Sequence, residues 1–81
     1  MGHYIVLSHY RCEYDEDVQI YGVFHSLQAA TEKFKIVVQS DREFAEKYNY
    51  DIEDDSDMDF FMRDSEGIDF TRTYIQFIDN P

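Results

Sequence analysis

The chain has 81 residues, room for one domain and one modest core, because a chain this short buries only about 60 to 65% of its unfolded surface. A hydrophobic fraction of 43% with seven Tyr and seven Phe argues against a disordered chain, and the small size argues against a deep, enclosed active site. Eighteen Asp and Glu against seven Lys and Arg give a formal charge of −11, which disfavours direct binding to nucleic acid or anionic membranes and favours a basic protein surface as partner.

Tyr4 to Tyr10 reads Tyr-Ile-Val-Leu-Ser-His-Tyr. This is a strand pattern, with Ile5, Leu7 and His9 on one face and Tyr4, Val6 and Ser8 on the other. The polar stretch from Arg11 to Asp17, with Glu13, Asp15, Glu16 and Asp17, predicts a long hairpin loop. A second strand is expected over Val18–Phe24, with Val18, Ile20, Gly22 and Phe24 sharing one side. Ser26 offers an N-cap hydroxyl to a helix whose apolar positions Leu27, Ala30, Phe34, Val37 and Val38 recur at spacings of three and four. Ser40-Asp-Arg-Glu43 has the form of a capping box, so the helix either restarts there or runs through. Six of the nine residues from Asp51 to Asp59 are acidic, which predicts an exposed loop. A second hairpin follows, from Met58–Met62 through a turn with Gly67 into Ile68–Ile78. The expected architecture is a single α+β domain over residues 1–81. In it, an antiparallel sheet of about four strands in the order β-β-α-(α)-β-β carries helix on one face.

The lone Cys12 cannot form an intramolecular disulfide, and a reducing, cytoplasmic setting is expected. The N-terminal apolar run of four residues lacks the basic region of a signal peptide. Asp55-x-Asp57-x-Asp59 with Glu66 reproduces carboxylate positions of a calcium-binding EF-hand loop. Phe60, however, stands where that loop needs glycine, and a strand follows where it needs a helix, so a solvated acidic segment is the reading. His3, His9, Cys12 and His25 have the residue types of a zinc site but not its spacing. Cys12 beside His9 or His25 suggests a nucleophile and base, but neighbouring carboxylates disfavour the thiolate. The expectation is therefore a protein without catalytic residues, metal or cofactor.

What remains is binding. Carboxylates spread over one surface can occupy a Lys- and Arg-lined groove in place of nucleic-acid phosphates. The candidate partner-binding residues are Glu13, Tyr14, Asp15, Glu16 and Asp17 in the first acidic stretch, then Tyr50, Asp51, Glu53, Asp54, Asp55, Asp57 and Asp59 in the second. If both stretches lie toward one edge of the sheet, they form a continuous negative surface. The two tyrosines add apolar area with a hydroxyl handle. A small adaptor or immunity-type protein, binding a toxin or enzyme through a strand edge and its tyrosines, is the alternative. A free edge strand also makes a homodimer possible.

The pattern Tyr4-Ile-Val-Leu-Ser-His9, then Gly22-Val-Phe-His-Ser26 and a helix with Ala29 and Ala30, is similar to a group of small uncharacterised bacterial and phage α+β proteins. In size, charge and absence of catalytic motifs the whole chain resembles phage anti-defence inhibitors, including anti-CRISPR and anti-restriction proteins that mimic nucleic acid. That likeness implies a non-enzymatic inhibitor in the cytoplasm of a bacterial host, blocking a nucleic-acid-binding protein or nuclease complex.

Overall fold

The structure, a computed structural model, describes residues 2–13 and 15–79. It is an α+β fold in the order β1 (Gly2–Cys12), β2 (Asp15–Phe24), α1 (Leu27–Tyr48), β3 (Asp51–Asp55), β4 (Asp59–Arg63) and β5 (Phe70–Asp79). The sheet is antiparallel with strand order β2-β1-β5-β4-β3, so α1 carries the chain from one edge to the other across a single face.

Several expectations need correction. The described residues form five strands, not about four, because Asp51–Asp55 is strand β3 and not a loop. Like charges resist close packing, but every residue of β3 is exposed and the strand pairs on one side only, so its carboxylates stay in water. The long first loop is also mostly strand: β1 and β2 remain paired as far as Cys12 and Asp15, and Glu13 turns the chain at φ 54°.

On β2, Val18 and Ile20 do not share a face with Gly22 and Phe24. The register shifts opposite Val6 and Leu7, where Val6 pairs with Gly22 but Leu7 pairs with Ile20. One extra residue in a strand of period two sends everything beyond it to the other face. Gly22 suits this position because the Phe24 ring lies over it, 2.8 Å from where a Cβ would stand.

The helix runs through Ser40 without a break, as 22 residues. No Gly or Pro interrupts it, so Ser40 and Glu43 lie within the continuous helix, and Asp41 beside them accepts the Thr73 hydroxyl from the sheet. Its ends are set by sequence. Ser26 Oγ accepts the Ala29 N–H at 3.2 Å, and Asn49 closes the helix in the left-handed region at φ 58°.

The core lies between α1 and one sheet face. Ala30, Phe34, Val38 and Ala45 of the helix meet Val6, Phe60, Met62 and Ile75 of β1, β4 and β5, with Tyr4, Tyr21, Phe24 and Tyr50 around them. A buried polar line runs through this layer. Ser8 Oγ lies 2.6 Å from Thr73 Oγ1, and the Thr73 hydroxyl donates to Asp41 Oδ2 at 2.7 Å. Among the described residues nothing covers the opposite sheet face, where Val18, Ile20 and Val23 are 50%, 61% and 56% exposed. Among the described residues, no helix is long and apolar enough to cross a membrane.

Candidate binding surface

The two acidic stretches belong to opposite edge strands of the sheet. Asp15, Glu16 and Asp17 open β2, while Asp51, Glu53, Asp54 and Asp55 form β3. Asp57 lies in the β3–β4 turn and Asp59 begins β4. Tyr14 lies outside the described residues.

The stretches differ in how far their charge is neutralised. On the β3 side, Glu53 meets Arg63 at 2.6 Å, Asp55 pairs with Arg42 of α1, and Asp59 accepts from Arg72 Nε at 3.1 Å. That last contact holds the Arg72 guanidinium above its ordinary pKa, through the Asp59 hydrogen bond first and its charge second. Asp51, Asp54 and Asp57 project into solvent. At the β1–β2 end, Glu16 contacts His9 at 2.7 Å and Asp17 accepts the N–H of Val18 at 2.8 Å. Among the described residues, no ion pair links Glu13, Asp15 or Asp17 to a lysine or arginine.

This end gains carboxylates that lie outside the expected partner-binding set. Pairing of β1 with β5 brings the β4–β5 turn, residues 64–69, against the β1–β2 turn. Asp69 Oδ1 accepts the Glu13 N–H at 2.8 Å across 56 residues of sequence. Gly67 at φ 74° lets the turn close, with its N–H on the Asp64 carbonyl at 3.1 Å and the Ile68 N–H on Asp64 Oδ1 at 2.8 Å. Glu66 is exposed, while Asp64 and Asp69 are half-buried and hold the turn. One end of the sheet thus gathers Glu13, Asp15, Asp64, Glu66 and Asp69, with Asp17 and Asp51 beside them. The signal was present in Arg63-Asp-Ser-Glu-Gly67, but only strand register reveals its neighbour.

Tyr50 is half-buried between the helix end and β3, edge-on to Phe44 with ring centres 5.1 Å apart. Its hydroxyl lies 3.4 Å from Asp69 Oδ2. Burial first, then the charges of Asp69 and Asp64, push the Tyr50 phenol above its ordinary pKa, so it stays protonated and able to donate. Its ring belongs to the rim of the core.

Two other features were not foreseen. A cleft of about 270 Å³ opens between α1 and the β3–β4 turn, with Phe34 and Val38 at its floor and Arg42, Asp55 and Asp57 at its sides. Its lining is mostly polar. The Asp41 carboxyl sits in the helix–sheet layer, where burial raises its pKa and the Thr73 hydrogen bond partly opposes that rise. Among the described residues, no group of three or more His, Cys, Asp or Glu is arranged to hold a metal ion, and Cys12 is exposed and unbridged. No family model, curated protein or solved structure matches the chain.

Proposed function

We propose that the protein is a non-enzymatic inhibitor that covers a basic nucleic-acid-binding surface of another protein with the acidic end of its sheet. The setting we propose is the cytoplasm of a bacterial host, with an anti-defence role against a nuclease complex of the anti-CRISPR or anti-restriction kind. One observation carries this reading: the Glu13 N–H bond to Asp69 ties two acidic turns into one surface, and Glu13, Asp15 and Glu66 are exposed on it.

A duplex carries one charge per roughly 1.7 Å of axis, so a substitute needs several carboxylates within a short distance, not one well-placed pair. Pinned turns also lose little freedom on binding, and carboxylates free of arginine partners give up no existing ion pair. Both features favour this end over the β3 edge, where arginines already engage Glu53, Asp55 and Asp59.

The test is Glu13→Lys, Asp15→Lys and Glu66→Lys together, with wild type and variant used as bait in bacterial lysate. The reading expects a basic, nucleic-acid-binding protein on the wild-type bait, at least about 100-fold weaker on the variant, given roughly 1 kcal/mol for each reversed contact. Equal retention on both baits would count against it. The adaptor reading is favoured by a different feature, the exposed apolar residues of β2, and predicts a partner retained by the charge-reversed bait and lost on substitution of Val18 or Ile20.

A further inference from the structure

The helix-free face of the sheet is apolar at its centre. Register places Leu7 and Ile5 of β1 beside Ile20 and Val23 of β2, and beside Tyr74 and Gln76 of β5. Ile78 extends the patch along β5 and is 39% exposed. On the other face α1 covers Val6, Phe60, Met62 and Ile75, whereas no second layer of described residues covers this one. Its exposed apolar residues are Val18, Ile20, Val23 and Ile78, with Leu7 buried between them, and an apolar patch of this kind marks an interaction site.

Charge identifies the occupant. The protein carries −11, yet by register this face presents Arg11, Arg63 and Arg72 against Glu16, Asp51, Asp54 and Asp59, and Arg63 also holds Glu53 of the β3 bulge, three cations to five anions. The Arg72–Asp59 ion pair and the His9–Glu16 hydrogen bond lie on it, and the Arg63–Glu53 ion pair stands at its border. It therefore carries only about two of the eleven excess negative charges, most of them already met by an arginine, and a basic partner finds little there to attract it. A second copy meets a surface as balanced and apolar as its own.

Area is sufficient. Strands of ten and eleven residues in a five-stranded sheet give a face of roughly 600 Å² per chain, so two copies bury roughly 1,200 Å², the lower end of a stable interface. Sheets packed at about 10 Å with their strands nearly aligned fit such faces together. In a two-fold pair with the strands running oppositely, the acidic ends stand roughly 30 Å apart, well beyond the screening length of about 8 to 10 Å.

We propose that two copies of this chain pack through the helix-free faces of their sheets, forming a two-fold dimer with the acidic ends outward. The contact is face to face, distinct from edge-to-edge pairing of β2 or β3. It needs no acidic-surface partner, so it stands or falls independently of the inhibitor reading.

Sedimentation equilibrium of the full chain over roughly 1 to 300 μM tests it, since an interface this small corresponds to about micromolar affinity. The mass is expected to rise from 9.8 kDa toward twice that value, and to do so equally or more strongly at higher salt. Gln76→Arg and Ile78→Asp lie on β5, the middle strand, which cannot take part in edge pairing. Gln76 is exposed and polar, so its variant keeps the native far-UV circular dichroism and is expected to remain at 9.8 kDa. Ile36→Asp, on the helix and 66% exposed, is expected to dimerise as wild type does. A wild type that stays monomeric throughout, dimers that survive both β5 substitutions, or loss of the dimer in Ile36→Asp overturns the proposal.

Discussion

Thr73 is fully buried, and its hydroxyl meets both the Ser8 hydroxyl, 2.6 Å away, and the Asp41 carboxyl, to which it donates at 2.7 Å. Thr73 can donate its single proton only once, so Ser8 must donate to Thr73 for both contacts to hold. Thr73→Val keeps the shape but strands the Ser8 hydroxyl and leaves the Asp41 carboxylate without its donor. It is expected to destabilise by about 2 kcal/mol in urea unfolding. Ser8→Ala with Thr73→Val removes the stranded hydroxyl as well, and is expected to cost less than the sum of the single changes. Asp41 behaves in the opposite sense. Because its folded pKa is raised, the folded protein holds that proton more tightly than the unfolded chain. Its carboxyl therefore costs stability above the ordinary value of 3.8, and that cost is relieved as pH falls. Asp41→Asn is neutral at every pH and can still accept from Thr73. It is expected to raise the Tm at pH 7 and to narrow the difference between pH 7 and pH 4.5, as differential scanning calorimetry would record.

The helix and the first two strands could be read from local pattern, because their apolar spacing and the Ser26 cap act within a few residues. Ser26→Ala is accordingly expected to cost about 1 kcal/mol, and Asn49→Ala a similar amount through the left-handed C-cap, both by urea unfolding. β3 was not legible. Its sequence Asp-Ile-Glu-Asp-Asp carries almost no apolar alternation, since an exposed edge strand has no buried face to record. The face of Val18 and Ile20 is hidden for another reason: the bulge opposite Val6 and Leu7 adds one residue, and Gly22, its one mark in the sequence of β2, does not by itself say that the faces exchange there. Of the acidic end, Glu13 and Asp15 were visible in the sequence. Asp69 was not, because it arrives through the pairing of β1 with β5, a long-range choice.

For the whole molecule the excess of eleven negative charges is a standing repulsion that the compact state must bear. Acidification from pH 7 toward 4.5 lowers that charge, and the raised pKa of Asp41 acts in the same direction. Stability is expected to rise by about 1 kcal/mol, a Tm increase of about 5 °C, and about 0.5 M NaCl is expected to give part of the same gain at pH 7. A Tm that falls steadily on acidification would show that carboxylate pairs such as Arg42–Asp55 outweigh the repulsion. The same charge gives the acidic end its reach toward a basic groove. The most direct measurement is displacement of the protein from its captured partner by duplex DNA, followed at two salt concentrations. The account predicts competitive release by DNA and a partner affinity that falls steeply with salt. A complex that forms in the presence of saturating DNA, with an affinity indifferent to salt, would contradict it.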